Sequence, residues 1–178
     1  EVAGAASRLR RLPADAGVGD SFRWVATENL HLTLRFLGEV DDEVVPKVVA
    51  GMAPALDRPA DRVTLGPPGT FPKSGRPRVL HSAVLSGTTL LADVRDLVDA
   101  RLSEVCTWEP ETRPFAPHLT LARARDRAAL DVAAFRAVLE AVEWPDVRMD
   151  VTGATLFRSV TRPSGPEYSV LAQAALRS

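Results

Sequence analysis

The sequence predicts an α+β fold made of two similar halves, and three observations carry that prediction. Short alternating strands and amphipathic helical stretches follow one another with no linker or low-complexity segment between them. The tetrapeptide His31-Leu32-Thr33-Leu34 returns as His118-Leu119-Thr120-Leu121, 87 positions later in a chain of 178 residues. The composition, 46% hydrophobic and 25% charged, is that of a globular chain rather than a disordered or collagen-like one.

The elements follow in order. Val2, Ala5, Ala6, Leu9 and Leu12 have helical spacing over residues 1–12, and Pro13 to Asp20 reads as a polar loop. Phe22 to Val25 is a short strand, and Leu30 to Leu37, closed by Gly38, a stronger one. Asp41 or Asp42 caps a helix that runs to about Leu56, with Pro46 tolerable in its first turn. Arg62 to Leu65 is a short strand. The stretch from Gly66 to Pro77 is too rich in Pro and Gly for regular structure. Val79 to Leu85 is a strand. Leu90 to Val105 is an amphipathic helix with Leu90, Leu91, Val94, Leu97, Val98, Leu102 and Val105 on one side. The second half repeats the plan: an extended Pro114–Pro117, a strand His118–Ala122, a helix Asp126–Val142, a strand Val147–Phe157, a turn at Pro163–Pro166 and a last strand Tyr168–Leu176.

Composition also excludes. No apolar run reaches the roughly 18 residues of a membrane span. The single Cys106 permits neither an intrachain disulfide nor a Cys-rich zinc site; it fits a reducing compartment such as the cytoplasm and reads as core packing. A formal charge of −1 argues against a protein that coats long stretches of nucleic acid. With three His and no HExxH pattern, a His-based metal centre is a weak reading. The 22 cationic residues are Arg except for Lys47 and Lys73; that bias is first a matter of composition, although Arg also suits bidentate recognition of phosphate.

The repeated motif carries the chemistry. With 21 Leu and 12 Thr in the chain, a given His acquires a Leu-Thr-Leu tail by chance about once in a thousand. Strand alternation puts His31 and Thr33 on one face and Leu30, Leu32, Leu34 and Phe36 on the other. His118 and Thr120 separate from Leu119 and Leu121 in the same way. Each Leu face can bury in the core of a lobe, leaving two imidazoles and two hydroxyls to face one ligand across a cleft. One imidazole neutral and one protonated is the requirement for concerted general base and general acid catalysis. Thr hydroxyls donate to anionic oxygens. The set fits in-line displacement at a phosphodiester without a metal.

These residues resemble a known family. Paired His-x-Thr-x motifs are the signature of the 2H phosphoesterase superfamily. Arg23-Trp24-Val25 with the run from Glu28 to Gly38, the Phe71-Pro72 and Arg76-Pro77-Arg78-Val79-Leu80 segments, and the run from Arg113 to Arg123 are similar to the bacterial and archaeal RNA 2′,3′-cyclic phosphodiesterases, also called 2′-5′ RNA ligases. The resemblance spans the whole chain. It implies one bilobal domain over residues 1–178, with two antiparallel sheets, flanking helices and a central active-site groove, and lacking the first strand with which members begin. It implies hydrolysis of 2′,3′-cyclic phosphate at RNA 3′ ends to a 2′-phosphomonoester, in some members with joining of tRNA halves through a 2′-5′ linkage. It implies no metal or nucleotide cofactor and no membrane partner, and a monomer is expected. Carried onto these positions, His31 is the proton donor, His118 the proton acceptor, and Thr33, Thr120 and Arg123 hold the phosphate.

Arg123 raises a difficulty, because strict alternation puts it on the Leu face. Either the strand ends or bulges after Leu121, or the side chain reaches around the edge. Arg35 has the better parity and stands second. Arg125 and Arg127 suit either guidance of an RNA end or a solvated helix start. Trp24, Phe71, Phe115 and Tyr168 could stack on a base but read first as packing. His81 lacks the Thr and reads as structural. Other readings stay open: a phosphodiesterase on another small cyclic phosphate or a 2′-5′ oligonucleotide, or a binding module that captures an RNA end without chemistry.

Overall fold

The structure is a computed structural model that describes residues 4, 21–108, 111, 113–125, 130–145, 147–162 and 165–178. The helix expected over residues 1–12 (apart from Gly4, which is helical), the loop after it, residues 126–129 at the start of the helix expected from Asp126, Arg127 among them, and Pro163 lie outside the described residues. Eight strands and three helices follow in order among them: β1 (Phe22–Trp24), α1 (Val45–Met52), β2 (Leu56–Pro59), β3 (Asp61–Phe71), β4 (Val79–Ser86), α2 (Thr88–Leu102), β5 (His118–Ala124), α3 (Val132–Ala141), β6 (Val147–Val151), β7 (Gly153–Arg162) and β8 (Gly165–Arg177). No described helix is long and apolar enough to cross a membrane.

The fold is α+β with two sheets, divided into two compact units. The first unit draws on the stretches up to Thr33, from Val63 to Ser86 and from Ala116 to Met149. It holds the five-stranded sheet β1-β5-β4-β3-β6. Its core joins Phe22, Leu80, Leu119, Leu121 and Ala122, all at most 1% exposed, to Phe135 of α3, whose ring stacks on Phe22 at 5.1 Å. The Asp131 side chain accepts from the Ala134 amide (3.0 Å) and so caps α3. The second unit holds the three-stranded sheet β2-β8-β7 with α1 and α2. Leu90, Leu91, Val94, Val98 and Leu102 of α2 are buried there with Val48 and Met52 of α1 and Leu56 of β2. Gly87 leads into α2 at φ +80°, a conformation that costs a residue without a Cβ little.

Four expectations need correction. The second sheet is not purely antiparallel, because β2 pairs with β8 in parallel. The four-residue β2, Leu-Asp-Arg-Pro, showed no alternation that could announce it. The Pro/Gly segment is not wholly irregular: β3 continues through Gly66, Pro67, Pro68 and Gly69 to Phe71. Register shifts on both sides of Leu65 accommodate it, as prolines are tolerated at bulges, and Ser82 Oγ donates to the Gly66 carbonyl (2.6 Å). The strand expected at Val147–Phe157 is two strands parted at Thr152, one in each sheet. Gly153 permits the start of β7, since a Cβ there would lie 2.6 Å from the Ala174 carbonyl oxygen.

The fourth concerns Leu30–Leu37, which forms no strand beyond one antiparallel bridge, Leu32 to Leu119. Its expected apolar face is correspondingly open, with Phe36 76% exposed. The first and third helices are shorter than expected. Turns occupy residues 42–44 before α1, which keeps Pro46 in its first turn, and α2 ends before Cys106.

Truncation of Phe22 to Ala should cost about 3–5 kcal/mol in urea unfolding, since it empties the stack on Phe135. Asp131→Ala should cost only about 1 kcal/mol, the value of one helix cap.

Candidate active site

The two motifs meet on β5. This strand is flanked on one side by β4 and on the other by the chain that carries the first motif. β1 pairs with the C-terminal half of β5, Phe22 opposite Ala124 and Trp24 opposite Ala122, and the Val25 amide donates to the Leu121 carbonyl (2.9 Å). A 3-10 turn over Thr27–Asn29 interrupts the pairing, which resumes at Leu32 opposite Leu119. Directly opposed residues of an antiparallel pair share a face. Leu32 and Leu119 therefore lie on one face, and His31, Thr33, His118 and Thr120 on the other, with His31 across from Thr120 and Thr33 across from His118. The motif segments are thus neighbours in one unit, not strands of separate lobes facing each other.

The two histidines are held alike. His31 Nδ1 lies 2.8 Å from the Asn29 carbonyl oxygen, and His118 Nδ1 2.9 Å from that of Ala116. A carbonyl oxygen only accepts, so each Nδ1 carries the proton and donates it two residues back. With Nδ1 so engaged, Nε2 is the ring atom through which each imidazole would take or give a proton. All four motif side chains are half-buried, reachable by a small ligand yet partly withdrawn from water.

A third ring pair adds to the site. His81, on β4, lies opposite Thr120 and so on the same face, and it is only 7% exposed. Its ring stacks on Phe71 at 4.0 Å and meets the His118 ring at 5.3 Å, edge to face. Phe71 also meets His118 edge to face at 5.0 Å. The His118 ring thus packs against a stacked pair of rings. Burial first, then repulsion by His118, push the His81 imidazole down to about 4, and its buried Nδ1 has no hydrogen-bond partner of normal geometry. His81 is therefore neutral near pH 7. The role of Phe71 is packing against these imidazoles. No motif marks His81, and Phe71 stands out only through the family-like Phe71-Pro72 pair; the proximity of both to His118 depends on the register of three strands.

The register also settles the parity of Arg123. β5 has one residue more than β4 between Leu80–Ala122 and His81–Thr120, so Leu121 is a bulge. Leu121 and Ala122 are consecutive and both buried, and beyond them the faces exchange. Arg123 emerges exposed on the motif face, as one of the alternatives for it required. Arg35 is engaged elsewhere. Its Nε donates to Asp99 Oδ1 (2.9 Å), a second bond joins the pair, and its guanidinium lies over the Trp108 ring. The Asp99 hydrogen bonds raise its already high pKa. Arg35 is a fixed cation of the second unit.

The remaining candidates pack. Phe115 lies under Arg95, and Tyr168 against Phe157. Trp24 is half-buried on β1, opposite Ala122. Cys106 is half-buried, and burial raises its thiol pKa.

Comparison with known proteins identifies the family. The sequence pattern of the 2′-5′ RNA ligase superfamily matches residues 2–162. A protein of Aeropyrum pernix named RNA 2′,3′-cyclic phosphodiesterase is 34% identical over 173 residues, covering 96% of this chain and 94% of that protein. One of the same name from Thermus thermophilus is 36% identical over 160 residues, 86% of this chain and 75% of that protein. The crystal structure of apo E. coli LigT superposes with a TM-score of 0.69 at 26% identity, over 99% of this chain and 92% of that one. LigT has also been crystallised with 3′-AMP; that structure gives a TM-score of 0.65 at 25% identity, over 99% of this chain and 93% of the other.

The buried His81 makes stability depend on pH. In the unfolded chain it binds a proton near pH 6.5, in the folded one only near 4. Its contribution is intact above pH 6.5 and is lost as the pH falls from 6.5 toward 4, at no more than about 1.4 kcal/mol per pH unit. His81→Phe keeps a ring and removes the titration. Urea unfolding between pH 4 and 7 should therefore show a flatter acid limb for the variant, and equal slopes would refute the assignment.

Proposed function

This chain belongs to the 2′-5′ RNA ligase superfamily, and from that premise we propose that it hydrolyses 2′,3′-cyclic phosphates at RNA 3′ ends to 2′-phosphomonoesters. The observation that carries the reading is the common face of His31, Thr33, His118 and Thr120, with each Nδ1 proton tied to a backbone carbonyl. The names of the relatives supply the substrate. The 3′-AMP bound by LigT supports a nucleotide end at a related site.

In the proposed reaction, His118 Nε2 takes a proton from water as the water oxygen bonds to phosphorus. The bond from phosphorus to the 3′ oxygen breaks, and His31, protonated at Nε2, gives its proton to that oxygen. The products are a 2′-phosphate and a free 3′-hydroxyl, and the two histidines have exchanged protonation states. Thr33 and Thr120 donate to the non-bridging oxygens, and Arg123 adds a positive charge from beyond the bulge. The stacked Phe71–His81 pair packs against His118 and steadies its ring for that exchange. A 5′-hydroxyl in place of water would give a 2′-5′ linkage by the same transfers, so ligation belongs to the same reading. A reducing, cytoplasmic setting with RNA suits a chain with one free thiol.

An oligonucleotide ending in a 2′,3′-cyclic phosphate, incubated with the protein in EDTA, should yield a 2′-phosphate. A 3′-phosphate or no turnover would overturn the reading. His31→Ala and His118→Ala should each lower kcat by about 10²–10⁴-fold, and the pH–rate profile should be bell-shaped. A reduced rate in only one of the two variants would contradict the paired roles.

A further inference from the structure

The corner of the five-stranded sheet next to the motif face holds charge that the fold itself does not use. Arg23 on β1 lies directly opposite Arg123 on β5. Like charges so placed repel and cost stability. Arg125 follows on the same face two residues further, its amide donating to the Ser21 carbonyl (2.8 Å). Arg78, whose carbonyl accepts from the Ala124 amide (2.8 Å), lies opposite Ala124 and so on the other face. The Arg23, Arg123 and Arg125 side chains are exposed, and none makes an ion pair or side-chain hydrogen bond among the described residues. By contrast, Arg35, Arg58, Arg62, Arg158, Arg162 and Arg177 each contact a carboxylate. Among the described residues, a chain of net charge −1 thus carries a local group of three unneutralised guanidiniums.

Position says what they face. The bulge at Leu121 turns Arg123 onto the face of His118 and Thr120, and cross-strand pairing puts Arg23 on that face beside it. At about 3.3 Å per strand residue, Arg123 stands roughly 10 Å from Thr120. Guanidiniums bind phosphate oxygens in bidentate fashion, and repulsion between neighbouring ones is relieved by a chain of regularly spaced anions. We propose that Arg23 and Arg125 extend the site beyond Arg123 into a short track for the phosphodiester backbone of single-stranded RNA, on the 5′ side of the terminal phosphate. The proposal deepens the functional reading above and rests on it for the identity of the strand. It adds a preference for an oligonucleotide over a mononucleotide, set by backbone charge and not by base identity.

Binding tests the track without requiring turnover. A 5′-fluorescein pentanucleotide ending in a 2′-phosphate would be titrated, by anisotropy, against wild type and the R23Q/R125Q variant, whose fold is checked by circular dichroism. The variant should bind at least about tenfold more weakly. Its log–log salt dependence should be shallower by about 0.7 for each phosphate that the variant no longer neutralises. In turnover, the ratio of kcat/KM for the cyclic-phosphate pentanucleotide to that for a 2′,3′-cyclic mononucleotide should fall by a similar factor. Unchanged affinity and salt slope in the variant would overturn the track, even if the mononucleotide is hydrolysed. Displacement of the pentanucleotide by a poly-glutamate peptide of equal charge, at equal concentration, would overturn its assignment to RNA. Weakened, salt-dependent binding by a variant of a protein that hydrolyses neither substrate would leave the track standing and sink the catalytic reading instead.

Discussion

The site depends on one backbone pairing, that of Leu32 with Leu119. Each His-Leu-Thr-Leu segment alone separates polar from apolar side chains, but it does not say which residues of the other copy it meets. The bridge supplies that information. It sets His31 against Thr120 and Thr33 against His118, so each imidazole has a hydroxyl directly across the pair. A slip of one residue would carry one motif's histidine and threonine to the opposite face. Burial opposes the slip. Leu119 and Leu121 are 1% exposed in the core built on Phe22 and Phe135, and a slip that kept the site would have to place polar groups there.

The same strand solves a second problem with an irregularity. A regular β5 would direct Arg123 into the core, where an unpaired guanidinium is costly to bury. The extra residue at Leu121 exchanges the faces within one step, and the core position passes from Leu121 to Ala122. Cationic side chains thereby join a face whose imidazoles and hydroxyls come from regular alternation. Bulges recur at functional edges for this reason: they re-aim a side chain while the flanking pairs stay in register.

The features legible in the sequence are those that depend on local pattern. The periodicity of Leu90, Leu91, Val94, Val98 and Leu102 marks α2, the alternation at Val79–Leu85 marks β4, and the repeated tetrapeptide marks the four residues that the structure gathers on one face. What escaped depends on pairing. β2 has too few residues for alternation, and its parallel partner lies over a hundred positions away. β3 crosses prolines because Ser82 on the neighbouring strand serves the Gly66 carbonyl, a compensation that no local reading could supply. Leu30–Leu37 has the composition of a strand, yet beyond Leu32 it finds no partner in a ladder. Arg35 has the right parity for the site but is held by Asp99, 64 positions away.

His81 is the clearest case of a residue whose meaning is tertiary. In sequence it is a histidine without its threonine. In the fold it is a buried neutral ring, stacked on Phe71 and set against His118. A cationic group in that position would repel a protonated His118 at short range. A flexible aliphatic side chain would leave the His118 ring held by its Nδ1 hydrogen bond and by Phe71 alone. A neutral aromatic ring restricts the imidazole and leaves its proton chemistry to the carbonyl of Ala116 and to the ligand. Gly69 fits the same arrangement, since a Cβ there would already touch the His81 ring at 3.4 Å. The orientation of one histidine thus rests on β3, β4 and β5 together, and the repeated motif, necessary as it is, accounts for only one of those strands.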